Sequence, residues 1–239
     1  MTKTPYHRAY APLREHLPRW ISGPIRTIGT AVMTPFLFSY RTGHFRSSFK
    51  MAAVSKAGDP LPWYTYPCID FLKCRPFDGK TVLEFGGGQS TLWWARRAHA
   101  VVTLEQDREW YEKIARRMPL NVELHHVASE NATMCVDQVE GVLRLKPYSQ
   151  YDVIVIDGLF RQEMIEIALR LMAPDGMIIC DDAEGYGFYE GFKASELNRA
   201  DFFGYPPGGS LPHATSIYFG SASFGFSSTH PIRNISLTK

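Results

Sequence analysis

The sequence predicts an α/β fold built on a mostly parallel sheet, and three observations carry that prediction. The run Lys80 to Ala95, KTVLEFGGGQSTLWWA, passes from an apolar, partly β-branched segment through three glycines into a helix-forming one. Four more strand-length apolar runs follow it, and most are separated by helix-forming stretches, the alternation of a parallel sheet covered on both faces. Finally, 45% hydrophobic content over 239 residues suffices for one sizeable core with an appendage.

The chain begins with that appendage. Residues 1–56 hold nine Lys or Arg and one acid, Glu15, a charge of +8, so the remainder carries −6. Such asymmetry suits a solvated face or a contact with something anionic. Within it, Trp20 to Tyr40 is the most apolar stretch, but Pro24, Arg26 and Pro35 interrupt it. Only 14 residues lie between Arg26 and Arg41, against the roughly 20 a spanning helix needs. Residues 1–59 are therefore expected to form a basic helical cap or association segment, meeting a second copy or a membrane surface peripherally. Pro60 to Leu72, rich in proline and aromatics, then leads into the catalytic-domain candidate, residues 60–239. Trp63, Tyr64 and Tyr66 are expected near the mouth of its pocket or in its wall.

Thr81 to Phe85 reads as the first strand, ended by Gly86, Gly87 and Gly88. Glycine lets the backbone approach a ligand without a Cβ in the way. Ser90 or Thr91 is expected to cap the next helix, whose dipole would face a bound nucleotide cofactor. Ala100 to Leu104 is the second strand, and Glu105 follows at ribose-binding spacing, about 20 residues beyond the glycines. Asp107 to Met118 is helical up to Pro119, and Asn121 to Val127 alternates as a strand. Tyr151 to Ile156 is a continuous apolar run ending at Asp157. Arg161 to Met172 has helical spacing, then Pro174, Asp175 and Gly176 form a turn. Met177 to Cys180 is a fifth strand ending at Asp181 and Asp182. Ala200 to Tyr205 and Thr215 to Phe219 close the chain as two strands about a Pro/Gly loop.

The segment Glu84-Phe-Gly86-Gly-Gly88-Gln-Ser90 resembles the [DE]-x-G-x-G-x-[ST] motif of class I S-adenosylmethionine-dependent methyltransferases. The dinucleotide pattern G-x-G-x-x-G fails here, because its last glycine is Thr91. The resemblance spans roughly residues 60–220. It implies a seven-stranded, mostly parallel Rossmann-like sheet flanked by helices, with a C-terminal antiparallel hairpin whose last strand inserts between the previous two. It also implies S-adenosylmethionine as cofactor, held by Glu84, Gly86, Gly87, Gly88, Ser90, Glu105, Gln106, Ala128, Ser129 and Asp157, with Tyr66 over the pocket. Gly86→Val or Glu105→Ala is then expected to weaken binding and leave the fold intact.

Methyl transfer needs proximity and a base if the nucleophile is protonated. Asp157, Asp181 and Asp182 fall at strand ends that converge on the ligand crevice. The pattern I-D-G followed by C-D-D is similar to the metal site of catechol-type and sugar O-methyltransferases, which implies Mg²⁺ shared by these three carboxylates. Gly158, Leu159 and Phe160 depart from the catechol pattern. Without a metal, His213 is the natural base, and Asp157 is the other catalytic candidate.

Cys68, Cys74, Cys135 and Cys180 form no C-x-x-C pair, so reduced thiols and a cytoplasmic site, membrane-peripheral at most, are expected. The reading is methylation of oxygen on a small molecule, with no nucleic-acid partner, since no N-P-P-Y-like motif occurs. The rivals are a noncatalytic cofactor-binding scaffold and an aminopropyltransferase, whose turn would read GGGDG where Gln89 and Ser90 stand here.

Overall fold

Strong apolar runs of strand length, each followed by a helical pattern, leave the chain few ways to bury its surface other than a sheet with helices on both faces. The computed structural model describes residues 18–128 and 130–226. Its sheet has seven strands: β1 (Thr81–Phe85), β2 (Ala100–Glu105), β3 (Val122–His126), β4 (Tyr151–Ile156), β5 (Met172–Cys180), β6 (Asn198–Gly204) and β7 (His213–Phe219). Their order is β3-β2-β1-β4-β5-β7-β6. β7 alone runs antiparallel, pairing with β5 on one side and β6 on the other, so the last strand does insert between the previous two.

Successive residues of the central strands face opposite cores. Val82, Val101, Val153, Val155 and Ile179 pack with Ile69, Leu72, Trp93 and Trp94. Leu83, Phe85, Val102, Leu104, Ile154, Ile156 and Ile178 pack with Val139, Met164, Ile167 and Ala168. Burying each such side chain contributes about 1.5–3 kcal/mol, which is why these strands read as unbroken apolar runs.

The helices over these cores are α3 (Tyr66–Lys73), α4 (Gln89–Ala95), α5 (Arg108–Ala115), α6 (Ala132–Leu143), α7 (Met164–Leu171) and α8 (Phe188–Phe192). They follow α1 (Arg19–Thr42) and α2 (His44–Lys50). Where boundaries differ from expectation, the reasons are local. α7 starts at Met164 rather than Arg161, because residues 161–163 form a turn that aims Arg161 at the strand ends. Pro174, Asp175 and Gly176 lie inside β5. There Tyr151 pairs with Met172 but Val153 with Met177, so the expected turn is absorbed as a bulge.

The apolar stretch from Trp20 is not interrupted by its prolines: α1 runs through Pro24 and Pro35 for 24 residues. A proline removes one helical hydrogen bond and leaves a carbonyl four residues back unpaired. α1 is exposed along most of its length, so that carbonyl is not forced into an apolar core and the loss is tolerated. Gly43, at φ +85°, ends it in the left-handed conformation, and a Cβ there would lie 2.4 Å from the Ser55 carbonyl carbon. No described helix is long and apolar enough to cross a membrane.

Candidate active site

Five parallel strands ending at one edge place their next residues around a shared crevice, the usual ligand position in open α/β sheets. Backbone bonds continue the pairing one residue past the strands, from Gly86 N–H to Leu104 C=O at 2.8 Å and from Asp157 N–H to Phe85 C=O at 2.9 Å. The resulting crevice holds about 640 Å³ and is lined by the three glycines, Ser90, Glu105, Gln106, Asp157, Asp181, Asp182 and His213. Met51, Ala52, Trp63 and Pro206 form part of its rim.

The glycine turn is fixed from below. Gly86 has φ +96°, and a Cβ on it would sit 2.6 Å from Asp157 O. Gly87 is nearly as tight, 2.9 Å from Thr103 Cγ2. The turn's amides bond within the protein: Gly87 N–H donates to Glu105 Oε2 at 2.8 Å, and Gly88 N–H to Thr91 Oγ1 at 2.9 Å. The glycines therefore serve close approach rather than amide donation. Helix α4 begins at Gln89 with Gly88 as its N-cap, so neither Ser90 nor Thr91 is the cap. Ser90 lies in the first turn against the crevice. Thr91 has a different task, donating its hydroxyl at 2.5 Å to Glu84.

Glu84 is fully buried and absent from the crevice lining, which corrects its reading as a cofactor ligand. Its Oε2 accepts from Thr91 and, at 3.0 Å, from Thr103, stitching β1, β2 and α4 together beneath the turn. Burial raises its carboxyl from 4.5 to about 7, against the hydroxyl bonds that lower it. The folded state thus holds this proton more tightly than the unfolded one. The associated stability is complete below about 4.5 and is lost as pH rises through about 7, a loss of about 3 kcal/mol. Urea unfolding midpoints are expected to fall between about pH 5 and pH 8 in the wild type and to stay flatter in Glu84→Gln, which has no charge to bury. Equal slopes in both proteins would assign the effect elsewhere.

Glu105, 6% exposed, accepts from Gly87 N–H through one oxygen and from Asp107 N–H through the other, both at 2.8 Å. A carboxylate has about four acceptor positions, so two remain for a ligand. Gln106, also in the lining, has a buried Oε1 with no hydrogen-bond partner among the described residues. A carboxylate with free acceptor positions beside a turn that only glycine permits is an arrangement a hydroxyl-bearing cofactor fits. Trp110, missed in the sequence, covers this end and donates its indole N–H to Gly87 C=O at 2.7 Å. Its signal was the helix that Asp107 caps by accepting from Trp110 N–H at 2.7 Å.

Two expected contacts fall elsewhere, and a third cannot be placed. Tyr66 packs edge-on to Phe38, ring centres 5.4 Å apart, and lines a different cavity. Here α3 turns it away from the strand ends, while Trp63 reaches the rim and donates to Pro207 C=O at 3.1 Å. Ala128 is exposed and outside the lining, because the chain has already turned away after Val127 pairs with Glu105. Ser129 lies outside the described residues.

At the far side stand Asp181, 3% exposed, Asp182, and His213 at the start of β7. His213 Nε2 lies 3.3 Å from Asp181 Oδ1, and Nδ1 3.6 Å from Asp182 Oδ1. Asp181 Oδ1 also accepts from Thr215 at 2.7 Å. Burial lowers the His213 pKa, but the adjacent carboxylate of Asp181, with Asp182 and Glu184, outweighs it and raises the imidazole above 6.5.

Asp157 does not join this group. Its carboxylate pairs at 2.9 Å with Arg161, whose Nη1 also donates to Asp181 C=O at 2.7 Å and stands 3.5 Å from Asp182. The guanidinium rests on the Tyr186 ring, 4.3 Å from its centre. Burial and the charge of Asp181 raise the Asp157 pKa, and Arg161 opposes them. A permanent cation thus occupies the position expected for a metal between Asp157 and Asp182. The set that brings ligand atoms within 4.8 Å of one another is Asp181, Asp182 and His213. Arg161 was legible only as the start of a helical pattern, although its place four residues after Asp157 is salt-bridge spacing.

The strand order is that of the class I S-adenosylmethionine-dependent methyltransferase fold, as the Glu84 to Ser90 motif implied. Residues 83–183 match the family model described as a methyltransferase domain. The Bacillus cereus O-methyltransferase solved with S-adenosylhomocysteine is 20% identical, with a TM-score of 0.52 and coverage of 77% of this chain and 100% of that one. The O-methyltransferase TomG of Streptomyces achromogenes is 17% identical, with a TM-score of 0.49 over 77% and 88% of the two chains. Precorrin-6y C5,15-methyltransferase of Geobacter metallireducens is 13% identical, with 0.49 over 72% and 96%. No curated protein sequence matches. At 20% identity, the Bacillus cereus structure speaks to the fold.

Proposed function

We propose that this protein transfers a methyl group from S-adenosylmethionine to an oxygen of a small-molecule acceptor, with His213 as general base. The observation that carries the proposal is that one crevice joins a glycine-turn cradle to a histidine held between two carboxylates. Glu105, Gln106, Ser90 and the glycine turn would hold the cofactor. When bound, it supplies a methyl group on a sulfonium centre, open to in-line displacement.

The chain's own residues do the rest. His213 takes the proton from an acceptor hydroxyl, and Asp181 orients the ring and stabilises its charged form. Arg161 offsets the negative charge of Asp157 and Asp182 close to where the acceptor oxygen would develop charge. Trp63 and Pro206 at the rim limit the acceptor's shape.

A second reading rests on the spacing of Asp181, Asp182 and His213, which suits one divalent ion held by two carboxylates and an imidazole. In that reading Asp157 remains Arg161's partner. Transfer of tritiated methyl to phenols and vicinal diols, with EDTA and with Mg²⁺, tests both. Labelled product that survives EDTA supports the histidine base, and product that requires Mg²⁺ supports the ion. Tight binding of S-adenosylhomocysteine with no product from any oxygen nucleophile would leave a cofactor-binding protein.

A further inference from the structure

Helix α1 carries an apolar stripe that stays largely exposed, touched towards its far end by Phe45, whose ring centre lies 6.3 Å from that of Phe36. Ile21, Ile25, Ile28, Val32 and Phe36 recur at i, i+4, i+7, i+11 and i+15, one face of a helix. Ile28 is 64% exposed and Phe36 58%, and Trp20 ahead of them is 77% exposed. Arg26, Thr27, Thr30, Thr34 and Arg41 occupy the opposite side. The apolar surface continues past α2, where Phe49 and Met51 stand almost fully in solvent.

Charge decides what covers it. No Asp or Glu occurs between Glu15 and Asp59, while Arg19, Arg26, Arg41, Arg46, Lys50 and Lys56 do. A second copy would pair like charges along the stripe, without the opposite-sign flanking residues that helix pairing uses. At the base of α1 a separate cavity of about 1050 Å³ adds a second cationic surface, lined by Arg41, Lys56, Lys73, Arg75, Arg96 and Arg97 against three aspartates. Lys56, Arg75 and Arg97 lie over the rings of Tyr40, Phe71 and Trp93.

We propose that α1 and α2 seat this protein on an anionic lipid bilayer. The apolar stripe enters the headgroup boundary, and the net positive charge of a segment without a single acid between Glu15 and Asp59 draws it to lipid phosphates and carboxylates. α1 is not apolar enough to cross the bilayer, so it lies in the interface. Met51 belongs both to this surface and to the rim of the crevice, so the crevice mouth adjoins the seat.

The test is co-sedimentation of the full chain with phosphatidylcholine vesicles, with and without phosphatidylserine, at low and high salt. At least about tenfold tighter binding to the serine-containing vesicles is expected, lost at high salt. The double variant Ile28→Glu, Val32→Glu is expected to abolish it while melting temperature and S-adenosylhomocysteine affinity hold, because both side chains are exposed and distant from the crevice lining. The proposal is overturned by equal binding to both vesicle types, by no binding to either, or by vesicle binding that the double variant retains. It is overturned too by a wild-type dimer that these substitutions dissociate, which would make a second copy the occupant.

Discussion

His213→Ala is expected to lower kcat about 10²- to 10⁴-fold while leaving S-adenosylhomocysteine affinity unchanged. The loss follows from position: the imidazole stands between Asp181 and Asp182, across the crevice from the glycine turn and Glu105. A base must be neutral to accept a proton. Because the carboxylates raise its pKa above 6.5, kcat/KM is expected to rise with pH through a midpoint above that value. Asp181→Asn removes the main raising charge and should move the midpoint down, whereas His213→Ala should erase this limb. A profile that keeps its limb in His213→Ala, with kcat reduced less than a few-fold, would place the base elsewhere.

Gly86→Val is expected to abolish measurable S-adenosylhomocysteine binding, at least about a hundredfold loss, and to lower the melting temperature as well. The expectation of an intact fold does not survive the geometry. A Cβ at Gly86 meets Asp157 O at 2.6 Å and Gly158 Cα and N at 2.7 Å, and φ +96° is strained for any L side chain. Backbone cannot yield as a flexible side chain would, so the β1 and β4 ends must separate. Gly88→Ala provides the contrast. Its Cβ would meet only Trp110, at 3.8 Å, so the fold should hold while the cradle surface changes. Calorimetric titration and thermal melts of the two variants separate cradle from scaffold: a Gly86→Val protein that melts and binds as wild type would refute this account. Glu105→Ala is likewise more than a ligand deletion, since it strands the Gly87 and Asp107 amides.

The sheet was legible because its strands bury both faces, which forces apolar runs such as Tyr151–Ile156 and fixes what lies at their ends. Gly86, Glu105 and Asp181 were found from those ends, and His213 from its place in the connection between the last two strands, which the structure makes the first residue of β7. Glu84 and Tyr66 were misplaced for one reason: a motif or a segment assigns a residue to a neighbourhood, and backbone direction then decides which way its side chain points. Glu84 turns into the core, where two threonines hold it, and Tyr66 turns onto Phe38. Arg161 escaped notice because its partners, Asp157, the Asp181 carbonyl and Asp182, come from two strands that only the fold brings together. The continuity of α1 through two prolines escaped notice because exposure, which makes those breaks tolerable, is a property of the folded chain.

One topological detail has a broader result. Because β7 alone runs against its neighbours, His213 stands at the beginning of its strand, whereas Glu105, Asp157, Asp181 and Asp182 stand at or just beyond the ends of theirs. The connection that delivers it, residues 205–212, passes the rim at Pro206. The crevice is thereby assembled from two separate stretches of chain, the glycine turn and Glu105 from early strands and His213 from a late one, so a change in the loop before β7 alters one wall and leaves the other as it was.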